Sequence, residues 1–130
     1  MIIALDYGTK RVGVAISEDI ESIALAVDAI VYTSYEELIE EIGKLIKKYS
    51  PNTILLGLPL GHEEKPTQMS NQIKDFALDL EERYRVSTKF WNEVMTSKIA
   101  SKIVKDNRKG NLDSQSARII LQEYLDFKNI

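Results

Sequence analysis

The chain has 130 residues, 44% of them hydrophobic and 28% charged, the composition of one soluble globular domain that can bury about two thirds of its unfolded surface. It has no cysteine, which excludes a disulfide framework, a zinc–thiolate site and a cysteine nucleophile, and predicts a reducing, cytoplasmic setting. The formal net charge of −3 argues against attachment to nucleic acid by bulk charge alone, although two bound divalent ions would bring the chain close to neutral and leave binding to local patches.

The opening Met1-Ile2-Ile3-Ala4-Leu5-Asp6 reads as a strand that starts at once, with no basic leader, so no signal peptide is expected. Arg11–Ser17 alternates β-branched with small residues: Val12, Val14 and Ile16 on one face, Gly13, Ala15 and Ser17 on the other. Tyr7–Lys10 between them predicts a hairpin turn. A third strand is expected near Ala26–Tyr32. Ser34 and Glu37 have the spacing of a capping box, and the helix they open runs through Leu38, Ile39, Ile42, Leu45, Ile46 and Tyr49 to the stop at Ser50-Pro51.

Thr53–Leu58 is a continuous apolar strand, as expected in a sheet covered on both faces. After a polar loop, Ile73, Phe76, Ala77, Leu80 and Tyr84 mark a second helix. Val86–Trp91 predicts a fifth strand. Thr96 or Ser97 can cap a third helix carrying Ile99, Ala100, Ile103 and Val104, followed by a polar, basic loop over Asp106–Asn111. A last helix is expected from about Asp113 to Asp126. Three strands before any helix make an antiparallel half, and the later β-α alternation adds parallel strands. The predicted fold class is α/β: a mixed five-stranded sheet with helices on both faces. No apolar run approaches the ~20 residues of a membrane span, so no membrane partner is expected.

Three carboxylates stand where such folds place function. Asp6 ends the first strand, where desolvation is costly unless the acid meets a cation; it could instead be a turn residue bonded to the amides of Gly8 and Thr9. Asp113 opens the last helix, and Ser116, Ala117, Ile120, Leu121, Tyr124 and Leu125 follow it at helical spacing. It therefore sits on the inward stripe, or else serves as an N-cap. Glu93 follows Phe90-Trp91-Asn92 and is either a third site acid or an exposed loop residue near a helix start. Carboxylates from separated segments suit Mg2+ or Mn2+, which take oxygen ligands and leave room for water and phosphate. Asp6, Glu93 and Asp113 are thus the candidate catalytic and metal-holding set, expected to converge within about 8 Å carboxyl to carboxyl.

The lone histidine, His62, lies beside Glu63 and Glu64 in a polar loop and is read as solvated. Lys98, Lys102 and Lys105 share one face of the predicted third helix, and Arg108 and Lys109 follow. They form either a solvated face or a ridge that tracks phosphates. Lys10 and Arg11, next to Asp6, could neutralise phosphate charge close to the cut.

Residues Ala4-Leu5-Asp6-Tyr7-Gly8-Thr9-Lys10-Arg11-Val12-Gly13-Val14-Ala15 resemble the YqgF/RuvX-type family, described as Holliday junction resolvases and as pre-16S rRNA nucleases. Ile54–Leu60 looks like that family's G-L-P-L segment. Asp113–Leu125 is similar to its closing D-x-x-A-A-x-x-I-L-Q-x-Y-L helix, with Ser116 in place of the first alanine. The resemblance covers nearly the whole chain and implies one ribonuclease-H-like nuclease domain over residues 1–130 acting in ribosome biogenesis or junction resolution. It also implies that Asp6, Glu93 and Asp113 form an acidic site. The family's D-E-R-L-T segment corresponds to Asn92-Glu93-Val94-Met95-Thr96, so Asn92 replaces an acid and Val94 an arginine. That departure keeps open a non-catalytic nucleic-acid-binding module.

The Asp6-x-Gly8-Thr9 hairpin also looks like the phosphate-binding hairpin of actin-like and sugar-kinase domains. Those close two domains around ATP, which one domain of this length cannot do. Expected partners are structured RNA or branched DNA, and no segment reads as a dimer face, so a monomer or weak homodimer is expected.

Overall fold

The computed structural model describes residues 1–17, 22–58, 68–92 and 112–129, with the side chains of 112 and 113 outside that description. Five strands and three helices are described: β1 (Ile2–Tyr7), β2 (Arg11–Ser17), β3 (Ala24–Val31), α1 (Tyr35–Tyr49), β4 (Thr53–Leu58), α2 (Gln68–Tyr84), β5 (Ser87–Asn92) and α3 (Leu112–Lys128). The strands form one sheet in the order β3-β2-β1-β4-β5. β1 pairs antiparallel with β2, and β2 with β3, while β1–β4 and β4–β5 are parallel. This is the expected mixed sheet, with β1 at its centre.

The period of two sorts the strand residues onto two faces. Ile3, Leu5, Val12, Val14, Ile54 and Leu56 meet Leu38, Ile39 and Ile42 of α1 and Ile73, Phe76 and Leu80 of α2. Ile2, Ala4, Ala15, Ala24 and Leu55 meet Ala117, Ile120, Leu121 and Leu125 of α3. Ala4, Gly13, Ala15 and Ser17 are all buried, and their small side chains let α3 lie close on β2. Each fully buried Leu or Ile contributes roughly 1.5–3 kcal/mol by removal from water.

Local chemistry sets the helix ends. The Ser34 hydroxyl accepts from the Glu37 N–H at 3.2 Å, as the capping-box spacing predicts, but the Glu37 carboxylate accepts from Thr33 rather than from Ser34 itself. Ser50 closes α1 in the left-handed conformation at φ 47°, its N–H donating to Ile46 O, and Pro51 prevents continuation.

Some boundaries differ from expectation. β3 begins two residues before Ala26, because the Ala24 N–H donates to Gln122 of α3 at 2.9 Å. β5 runs Ser87–Asn92 rather than Val86–Trp91. α3 starts at Leu112, one residue before the predicted Asp113. The predicted third helix and the basic loop after it lie outside the described residues.

Candidate active site at the end of the central strand

Asp6 is the next-to-last residue of β1 and is half-buried. It has the parity of Ile2 and Ala4, so it belongs to the sheet face that α3 covers. Its partner across the ladder is Gly13, which puts no side chain between Asp6 and β2. On its other flank Leu5 pairs with Leu56 and Leu56 with Phe90. The carboxyl-terminal ends of β1, β4 and β5 therefore lie along one edge of the sheet, the edge where Asp6 stands and where β5 ends at Asn92.

The start of α3 is tied to the same place. The pairing of β2 with β3 shifts register between Val12 and Val14, which interrupts the ladder there. The Val14 N–H donates instead to the Ser114 hydroxyl at 3.0 Å, and Ser114 is fully buried. Val14 is the ladder partner of Leu5, so the first turn of α3 is fixed beside the residue preceding Asp6. Asp113, adjacent to Ser114, is the second residue of α3. An N-cap would precede Leu112, so the helix places Asp113 within the first turn rather than at the cap.

Glu93, Lys98, Lys102, Lys105, Arg108, Lys109 and His62 lie outside the described residues, as does the side chain of Asp113. Among the described residues no group of three or more His, Asp or Glu could hold a metal ion; of the three candidate acids, Asp6 is the one whose side chain is described.

The hairpin turn beside Asp6 is rigidly built. A Cβ on Gly8 would stand 2.6 Å from the Arg11 carbonyl oxygen, so only glycine fits. The Tyr32 hydroxyl donates to Gly8 O, and the Tyr32 N–H donates to Lys10 O at 3.2 Å. Desolvation, with the neighbouring Tyr7 hydroxyl second, pushes the Tyr32 phenol up to about 12. Tyr7 in turn packs on Phe76 of α2, ring centroids 5.1 Å apart, and Phe76 on Tyr35 of α1 at 6.3 Å. The turn is thereby braced from the core. Lys10 and Arg11 are exposed on it, and a hollow of about 290 Å3 lies between Asp6, Gly13 and the turn residues 7–11.

Sequence reasoning did not single out Tyr32 or Ser114. Tyr32 read as a strand residue, and a bond to a turn 24 residues earlier leaves no local signal. Ser114 had one: a polar residue in the first turn of an otherwise apolar helix face needs a partner.

Comparison with solved structures defines the class. Thermus thermophilus RuvC in complex with a Holliday junction substrate aligns with a TM-score of 0.61 at 9% identity, covering 98% of this chain and 94% of that one. The Fowlpox virus resolvase in complex with Holliday junction DNA aligns at 0.58 and 12% identity, covering 98% and 97%. At such identities the likeness is one of fold, the ribonuclease-H-like fold of resolvases. A protein of Paraburkholderia xenovorans named "Putative pre-16S rRNA nuclease" is 33% identical over 127 residues, which cover 96% of this chain and 87% of that protein. Residues 1–127 match the RuvX family, described as Holliday junction resolvase. The chain belongs to the RuvX family, a nuclease-type family. Among the described residues no helix is long and apolar enough to cross a membrane.

Proposed function

We propose that this protein is a metal-dependent nuclease that hydrolyses phosphodiester bonds in structured nucleic acid, either at the 5′ end of precursor 16S ribosomal RNA or at four-way DNA junctions. The observation that carries the reading is the placement of Asp6. It is the next-to-last residue of the central strand, on the α3 face, and the Ser114–Val14 bond holds the first turn of α3, with Asp113 in it, at the same level of the sheet.

The donor chemistry fits a hard divalent cation. Asp6, Glu93 and Asp113 offer only oxygen, and the chain has no cysteine and one histidine. These three residues would hold Mg2+ or Mn2+. When bound, the ion would polarise the phosphodiester and lower the pKa of an attacking water. Strands β1 and β5 are separated by β4 alone, so their axes stand roughly 10 Å apart, a gap that acidic side chains directed toward each other can narrow. Lys10 and Arg11 would neutralise phosphate beside the hollow at Asp6, Arg11 by a planar fork and Lys10 as a point charge. Gly8 and Tyr32 hold the turn that carries that pair.

A second reading, a catalytically weak or inactive nucleic-acid-binding module, is favoured by one observation. Asn92, the exposed last residue of β5, stands where the family has an acid. A cleavage panel separates the two: labelled four-way junction DNA and precursor ribosomal RNA, each with Mn2+ and with chelator. Cutting of either substrate that stops in chelator is the expected result. Equal binding in both conditions with no cutting would establish the binding module.

A further inference from the structure

The turn that carries Lys10 and Arg11 lines a second hollow, one that Asp6 does not line. It measures about 450 Å3 and is lined by Thr9, Lys10, Arg11, Val31, Tyr32 and Thr33. Its composition is uneven. Val31 is 67% exposed, the most exposed large apolar residue of the described chain, and beside it lies the half-buried Tyr32. Tyr32 cannot swing away, because its hydroxyl and its N–H are both bonded to the turn. The cations Lys10 and Arg11 and two threonines, Thr9 and Thr33, complete the lining, with Arg11 the ladder partner of Val31. A preformed hollow with an apolar wall, a fixed aromatic ring and two cations is complementary to a nucleobase joined to a phosphate. The volume is sufficient for one nucleotide and small for a duplex.

We propose that this hollow binds one unpaired nucleotide flanking the scissile bond, its base on Val31 and Tyr32 and its phosphate against Lys10 and Arg11. The two hollows share Thr9, Lys10 and Arg11, so a single strand that crosses the turn passes from one to the other. The inference rests on the nuclease reading and adds a preference: substrates with a single-stranded extension next to the cut. Only an unpaired base can leave its stack and lie on a protein wall without an unpairing cost of a few kcal/mol.

The test uses two fluorescein-labelled stem-loops, one blunt and one with a short unpaired extension, each made in RNA and in DNA, with affinities read by anisotropy in Ca2+ so that a metal is present. The full chain is expected to bind the extended probe roughly tenfold tighter, the effect of about one base–aromatic contact. Val31→Glu puts a carboxylate into the hollow and is expected to abolish that preference. Leu78→Glu makes the same change at an exposed apolar residue of α2 (62% exposed) and is expected to keep it. Should Val31→Glu melt early, Val31→Gln provides the same comparison.

Equal affinity of the parent for both probes would overturn the proposal, as would a preference that survives at Val31. So would displacement of the extended probe by an acidic peptide as effective as the free oligonucleotide, because the hollow would then be a peptide site. Failure of the nuclease reading is a different result: no cleavage of any substrate, with the extension preference intact.

Discussion

At the scale of the residue, Asp6 carries the most weight. The proposed gathering of Asp6, Glu93 and Asp113 would set like charges against one another when no metal is bound, so Asp6→Asn is expected to unfold at the same denaturant concentration as the parent or slightly higher. Added Mn2+ should stabilise the parent and leave the variant unmoved, since a ligand stabilises only the fold that binds it. Urea melts with and without Mn2+ measure both effects. An Asp6→Asn protein that unfolds at much lower urea would make Asp6 a structural turn residue.

Tyr32 gives a pH prediction. Its phenol is raised from 10.0 to about 12, so the fold favours the neutral form. That contribution to stability is complete below pH 10 and is lost as pH rises through 12. Tyr35 is raised in the same direction, by burial first and by its bond to Asp79 second, and adds to the same alkaline loss. Tyr32→Phe should cost about 1 kcal/mol at neutral pH through the missing bond to Gly8 and should flatten the fall in stability between pH 10 and 12. Parallel slopes for parent and variant would show that Tyr32 does not titrate with unfolding. The position of Asp6 near the end of a buried strand was legible in the sequence, because an acid after Ile2-Ile3-Ala4-Leu5 stands out locally, although the strand runs one residue further, to Tyr7. Tyr32 was not, because its partners lie on a turn distant in the chain.

At the scale of the element, the decisive contact is between α3 and β2. The inward stripe of α3 was readable from spacing, as was the sharing of one β2 face by Gly13, Ala15 and Ser17; that α3 covers this face was not. The register shift at Val12–Val14 was not readable, because it depends on how β3 pairs rather than on the residues of β2. The early start of β3 was hidden for the same reason: the group that captures Ala24 is Gln122, 98 residues on. Ser114→Ala leaves the Val14 N–H buried without its acceptor. The expected cost is about 1–3 kcal/mol in urea unfolding, with a loss of activity greater than the loss of folded protein, because the turn bearing Asp113 is no longer fixed. A variant as stable and as active as the parent would remove that bond from the account. α1 and α2 are fitted together by a different device: a Cβ on Gly43 would collide with the Tyr84 hydroxyl, which donates to Ile39 O at 2.8 Å.

At the scale of the whole molecule, the chain is weakly acidic, so affinity for nucleic acid has to come from local charge. Lys98, Lys102 and Lys105 are proposed to track phosphates. Changing all three to Gln should lower the slope of log affinity against log salt by about 2 to 3 and leave Mn2+ affinity unchanged. Binding curves that overlay the parent at every salt concentration would shift the contact surface to Lys10 and Arg11. The fold class was fully legible, since three strands followed by β-α alternation leave few arrangements. The candidate site was less so: sequence spacing names three acids but does not bring them together, and of the three only the side chain of Asp6 is among the described residues.

The central claim is that Asp6 stands in a metal-dependent hydrolytic site. It is tested most directly by cleavage of junction DNA and precursor ribosomal RNA with parent and Asp6→Asn proteins, both shown folded, across a Mn2+ titration. The account predicts cutting by the parent that rises with Mn2+ and is abolished by chelator, and no cutting by Asp6→Asn at any Mn2+ concentration. Cleavage by Asp6→Asn at the parent's rate, or by the parent in chelator, would contradict it.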